Sequence, residues 1–170
     1  MYYIPSDFYL PEYLSGKEYA EFVFSRYEET DRRFFDFLIG LYHLKSSLNK
    51  KISDYSYGMK KKLQIATSLA LNINYILADE IFNGLDYESF LLTEYLINKF
   101  SANRKFILIS HNMDYINRNT QANVYLMSNG QMDLIKDINK IEEIVINIGE
   151  LKNYYEEIDG FLRNYKDINE

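Results

Sequence analysis

Two short apolar runs, Tyr75-Ile76-Leu77-Ala78 and Phe106-Ile107-Leu108-Ile109, each stop abruptly at polar residues. Asp79-Glu80 follows the first and Ser110-His111 the second. Continuous runs of this length suit strands buried on both faces. Between them, Tyr87 to Phe100 reads as a helix. Strand, helix, strand implies a parallel crossover, and therefore an α/β fold. Ligands of open α/β sheets bind at the carboxyl edge of the strands, which places Asp79, Glu80 and His111 along one edge.

The remainder of the chain divides by pattern. Pro5 and Pro11 punctuate an extended entry. Ser15 with Glu18 fits a capping box, and Tyr19, Phe22, Val23 and Tyr27 share the face of the helix that follows. Phe34, Phe35, Leu38, Leu41 and Tyr42 mark a second helix, and the polar residues 46–54 a break. Met59 to Leu71 predicts a helix carrying Lys60, Lys61 and Lys62. Met113 to Asn119 predicts a short helix and Val124 to Met127 a strand, closed by the Asn129-Gly130 of a tight hairpin. The tail from Asp137 is charged and helical, with Leu151, Tyr154, Tyr155, Ile158 and Leu162 as its apolar stripe.

Composition narrows the class. At 170 residues the chain has the length of about one domain, and 47% hydrophobic residues argue against intrinsic disorder. Without cysteine there is neither a disulfide framework nor a thiolate zinc site. A net charge of -6 argues against nucleic acid as the partner, because a polyanion calls for a basic face. No run approaches the ~18 apolar residues of a spanning helix. The opening Met1-Tyr2-Tyr3-Ile4-Pro5 has no basic or apolar signal region, so a soluble intracellular chain is expected.

Adjacent carboxylates at a strand end can divide their work. Asp79 would hold Mg²⁺, an ion that favours few carboxylates plus water and phosphate oxygens, and Glu80 would orient or deprotonate a water. His111 on the same edge can donate to a phosphate oxygen. Ser56 and Gly58 open a strong helix, where a hydroxyl and free backbone N–H groups favour an anion. Taken singly, each has a plainer reading: a strand that ends in charge, a surface histidine, an ordinary helix cap.

The order of these elements is more specific. Tyr55-Ser56-Tyr57-Gly58-Met59-Lys60-Lys61-Lys62-Leu63 resembles the signature motif of ATP-binding cassette (ABC) ATPases, and Tyr75 to Glu80 their Walker B strand with its adjacent catalytic Glu. Gly84-Leu85-Asp86 is similar to the D-loop, Ile109-Ser110-His111 to the switch histidine, and Met127 to Met132 to the closing strand, turn and strand. The resemblance implies a partial P-loop NTPase core of ABC type, with parallel strands, flanking helices and a helical subdomain. It implies ATP and Mg²⁺ as cofactors, with Asp79 as the metal residue, and Glu80 and His111 as catalytic. It further implies that Ser56 and Gly58 touch ATP held by a second ATP-binding subunit of a homo- or heterodimer, and that Asp86 crosses that interface.

The departures are equally specific. Gly16-Lys17 is the nearest approach to a Walker A motif, but the Gly-x-x-x-x-Gly-Lys-Ser/Thr pattern needs Gly at Pro11 and Ser or Thr at Glu18. Ser6 stands where the family has the Gln of its Q-loop, Tyr57 replaces a signature Gly, and Ile81 replaces Pro. The chain therefore looks like the C-terminal part of a cassette. The expected division is a Q-loop-like entry at 1–11, a helical subdomain at 12–58, the second half of the ATPase core at 59–135 and a helical tail at 136–170.

The implied function is that of an ATP-binding subunit, truncated or split, which couples ATP binding and hydrolysis to solute transport through a membrane-spanning subunit. It would be cytoplasmic and peripheral to the inner face of the membrane, with its docking surface between the helical subdomain and the Q-loop region. The alternative is a non-catalytic cassette that offers its signature motif in trans. By itself the chain is expected to be inactive, since the phosphate-cradling loop and its lysine are missing. The resemblance also implies a Walker A strand between strands 75–78 and 106–109. Without it those strands would pair directly or leave edges that bind another chain.

Overall fold

The α-helices of the first hundred residues begin where a short polar side chain can cap them. In the computed structural model, which describes residues 1–7, 9–148 and 151–167, α1 (Gly16–Phe24) starts with the reciprocal capping box of Ser15 and Glu18. Asp31 caps α2 (Arg32–Leu41), Ser56 caps α3 (Tyr57–Leu69) and Asp86 caps α4 (Tyr87–Phe100), each accepting a backbone N–H from three residues on. Within the entry segment Phe8 lies outside the described residues, as do 149, 150 and 168–170 in the tail.

The described chain forms two compact units, residues 1–111 and 112–170. In the first, β1 (Tyr2–Ile4), β2 (Tyr75–Asp79) and β3 (Lys105–Ile109) make a three-stranded parallel sheet in the order β1-β2-β3. The register aligns Ile4 with Ala78 and Asp79 with Ile109, so β2 and β3 are direct neighbours over five residue pairs. No strand stands between them. Of the two outcomes expected, direct pairing is the one found.

The two strands are not buried on both faces, as their apolar runs had suggested. Ile76 and Ala78 are buried, whereas Tyr75, Ile107 and Ile109 are exposed. The reason is layering. The helices of this unit cover one side of the sheet, and the alternate residues of the strands face the other.

The covered side holds the core. α3 packs against β1, α1 and α2. Leu38, Ile39 and Tyr42 from the α2 region, Leu63, Ile65 and Ala66 from α3, and Ile4 and Ile76 from the sheet are all buried. Each large aliphatic side chain among them contributes about 1.5–3 kcal/mol by leaving water. The Tyr42 hydroxyl and Thr93 Oγ1 of α4 share a buried hydrogen bond of 2.8 Å. Burial raises the Tyr42 phenol well above its ordinary pKa, and the Thr93 bond offsets part of that rise.

The second unit contains α5 (Met113–Arg118), the antiparallel hairpin β4 (Val124–Ser128) and β5 (Gln131–Ile135), α6 (Ile141–Ile148) and α7 (Leu151–Asp167). The hairpin turn uses positive φ at both central residues, 50° at Asn129 and 75° at Gly130. That is the primed turn predicted by an Asn-Gly pair. Tyr154, Tyr155, Ile158 and Leu162 of the tail stripe are all exposed. Among the described residues, no helix is long and apolar enough to cross a membrane.

Candidate functional site

The carboxyl ends of β2 and β3 meet at Glu80. Its backbone N–H donates to the carbonyl of Ile109 at 2.9 Å, extending the ladder one residue beyond β2. The chain then turns through φ 48° at Glu80 itself. A non-glycine residue at positive φ is uncommon and costs on the order of 1 kcal/mol, a strain that concentrates at functional positions. The turn leaves the Glu80 side chain 13% exposed, with Oε1 2.7 Å from His111 Nδ1. Its other oxygen, Oε2, is buried without a hydrogen-bond partner. Asp79, the last residue of β2, is partly buried, while the His111 side chain is 84% exposed. The structure thus brings Asp79, Glu80 and His111 to one edge.

Lys61 approaches the same edge from α3. It is fully buried, and its Nζ donates to the carbonyls of Pro5 at 3.0 Å and Ser6 at 3.5 Å. Burial depresses its pKa, and the charges of Asp79, Glu80 and Asp7 oppose that shift. Sequence reasoning missed Lys61 because a run of three lysines reads as a solvated face. The helical phase held the signal: Lys61 stands three, four and seven residues before the buried Gln64, Ile65 and Ser68.

The signature-like segment and the D-loop-like turn also touch. A Cβ on Gly58 would lie 2.5 Å from the carbonyl oxygen of Gly84, so only glycine fits there. Gly84 has φ 74°, and a Cβ on it would collide with the Cδ1–Cε1 edge of the Tyr57 ring. The Tyr57 hydroxyl donates to the Ser6 carbonyl at 3.1 Å. Its phenol pKa is raised by burial, with Asp7 and Glu80 adding to the effect. Tyr57 thereby joins the entry segment, α3 and the 84 turn.

Ser56 remains exposed at the start of α3, its Oγ accepting from the Met59 N–H at 3.3 Å. Asp86 is committed within the chain. It caps α4 through the Ser89 N–H at 2.9 Å and pairs with Lys62 Nζ at 2.7 Å. The Lys62 hydrogen bond and that cap hold its carboxyl below the ordinary range.

Among the described residues, no group of three or more His, Cys, Asp or Glu could hold a metal ion. Mg²⁺ asks for less, because it takes one or two carboxylates and fills its remaining positions with water and phosphate oxygens. Asp79, a single partly buried carboxylate at the end of β2, fits that requirement.

The chain matches no protein-family model. It is 32% identical over 123 residues to the methionine import ATP-binding protein MetN of Campylobacter jejuni, a stretch covering 71% of this chain and 33% of that protein. It is 31% identical over 98 residues to the phosphate import ATP-binding protein PstB of Oceanobacillus iheyensis, covering 58% and 35%. Among solved structures, an ATP-binding subunit of an ABC transporter superposes with a TM-score of 0.72 at 20% identity, covering 93% of this chain and 68% of that one. The chain spans only part of the curated relatives it matches, from 10% to 45% of their length in the alignments.

Proposed function

We propose that this chain, an ABC-type ATP-binding protein by fold and by sequence likeness, supplies the hydrolytic and signature half of a transport ATPase. The observation that supports this most is Glu80: a strained residue at the carboxyl edge, one oxygen on His111, the other buried and unpartnered.

In this reading each residue has a task. The free oxygen of Glu80 orients the attacking water and takes its proton, while the hydrogen bond at Oε1 fixes the carboxylate's direction. His111, largely exposed, is free to turn one ring nitrogen toward a phosphate oxygen. Asp79 would hold Mg²⁺, which supplies neutralising charge to the phosphates when bound. Lys61 anchors the Pro5–Ser6 segment beside the carboxylates and moderates their mutual repulsion. Ser56 and the first N–H groups of α3 would face a phosphate held by a second ATP-binding subunit, with Gly58 keeping the backbone close. Asp86 would lie beside that dimer interface, held in place by its cap and Lys62.

Residues 12–58 would form the docking subdomain for a membrane-spanning subunit, within the four-part division of the chain. The assembly would sit at the cytoplasmic face of a membrane and drive solute transport. A second reading is a non-catalytic cassette that lends its signature face in trans. It is supported by the exposure of Ser56 at the start of α3.

Calorimetric titration with Mg-ATP tests the reading. The chain alone is expected to bind no tighter than about millimolar, roughly −4 kcal/mol. Fusion to a segment bearing an ABC-type Gly-x-x-x-x-Gly-Lys-Ser/Thr loop should bring micromolar binding and turnover. Micromolar binding by the chain alone, or no gain on fusion, would contradict it.

A further inference from the structure

We propose that Lys61 is the resident counter-cation of the carboxylate edge, and that it makes the edge's hold on Mg²⁺ depend on phosphate oxygens arriving with the ion. This deepens the reading of that edge given above and rests on it.

The placement comes from the topology. Ile4 pairs with Ala78, so residues 5–7 run past the end of β1 alongside Asp79 and Glu80. α3 holds this segment with two donors one helical turn apart. The Tyr57 hydroxyl donates to the Ser6 carbonyl at 3.1 Å, and Lys61 Nζ donates to the carbonyls of Pro5 at 3.0 Å and Ser6 at 3.5 Å. The neighbouring lysines are spent elsewhere, Lys60 on Glu12 and Lys62 on Asp86, each at 2.7 Å. Lys61 is therefore the lysine of the three that points its charge at the edge, and it is fully buried while doing so.

The charge count gives the consequence. The carboxylates that act on the Lys61 ammonium are those of Asp79, Glu80 and Asp7. One cation among three anions leaves the edge attractive to a divalent ion but partly neutralised. Burial keeps bulk water from screening the ammonium, so its field reaches the carboxylates with more force than that of a surface lysine. Mg²⁺ sheds water reluctantly and binds through one or two carboxylates together with phosphate oxygens. An edge already holding a positive charge binds the bare ion weakly. Phosphate oxygens restore the negative charge and supply the missing contacts. The carbonyls of Pro5 and Ser6 fix the ammonium in place, which makes Lys61 a positioning residue rather than a catalytic one.

The probe is Mn²⁺ alone, an oxygen-seeking divalent ion whose binding is read by water-proton relaxation, titrated into the chain without nucleotide. The natural chain is expected to bind it no tighter than roughly millimolar. Lys61→Met puts an apolar chain of similar length in the buried site, an exchange that buried ions often tolerate. It should tighten Mn²⁺ binding by about tenfold. Lys61→Gln removes the charge but keeps an amide donor for the carbonyls. It should tighten binding to the same extent, and it is the second variant should Lys61→Met fail to fold. Adding Asp79→Asn to either variant should abolish the gain. Micromolar binding by the natural chain, or no tightening in the folded variants, would overturn the inference. So would tightening in Lys61→Met but not in Lys61→Gln, which would report a loosened segment and not a lost charge, or a gain that survives Asp79→Asn. No nucleotide is present in this titration, so its failure and the failure of the ATPase reading are separate results.

Discussion

Glu80 and His111 lie 2.7 Å apart across the ends of two adjacent parallel strands, and the glutamate reaches that position from a left-handed backbone. Direct pairing of β2 with β3 makes this contact possible. A strand inserted between them would move the two residues apart by about another 4.8 Å of sheet spacing. The catalytic reading and the strand order are therefore one claim.

The contact between Gly58 and Gly84 provides a stability test. Gly58→Ala puts a methyl 2.5 Å from the Gly84 carbonyl oxygen, and backbone cannot yield as a side chain can. Gly84→Ala adds the penalty of φ 74° to a clash with the Tyr57 ring. Each is expected to cost about 1–3 kcal/mol in urea unfolding. Combining Gly84→Ala with Tyr57→Ala should recover the part due to the clash and leave the part due to φ. Unchanged unfolding midpoints for both single variants would contradict the contact.

Much of this was legible in the sequence. The β2 and β3 runs, the helix between them and the hairpin at Asn129-Gly130 follow from apolar periodicity and turn chemistry. The resemblance to ABC ATPases rests on the order of segments 55–63, 75–80, 84–86 and 109–111, with the closing strand, turn and strand at 127–132. Burial on both faces was misread because an apolar run records what a strand can tolerate, not what covers it. Ile107 and Ile109 look the same in either case. The contacts of Lys61 and Tyr57 were not legible, because each depends on the entry segment returning to α3 from more than fifty residues away.

Alkaline pH should unfold the chain. The phenol pKa values of Tyr2, Tyr19 and Tyr42 are raised from 10.0 in the fold, mainly by burial. The unfolded chain therefore loses these protons first. The contribution is fully present below pH 10 and falls as pH rises beyond it, by about 1.4 kcal/mol per pH unit for each tyrosine still neutral in the fold. Urea unfolding between pH 8 and 11 measures the slope. Tyr42→Phe should lower stability by about 1 kcal/mol at neutral pH, through loss of the Thr93 bond, and flatten the alkaline slope by one tyrosine's share. An unchanged slope would contradict the burial of that phenol.

The open sheet face should promote self-association. Tyr3, Tyr75, Ile107 and Ile109 are each about half exposed, and β3 is an edge strand. Sedimentation of the chain alone is expected to show concentration-dependent oligomers. Ile107→Lys with Ile109→Lys should shift them to monomer while the thermal midpoint holds, since neither side chain is in the core. A wild-type monomer at all concentrations would contradict this.

The most direct test of the account is ATP turnover by the fused protein with Glu80 and with Glu80→Gln. The substitution keeps size and hydrogen bonding and removes the charge and the base. Loss of a positioned general base is expected to lower the rate by about 10² to 10⁴ while ATP affinity stays the same. Turnover unchanged by Glu80→Gln would contradict the account, because the strained turn, the His111 contact and the unpartnered oxygen would then have no part in hydrolysis.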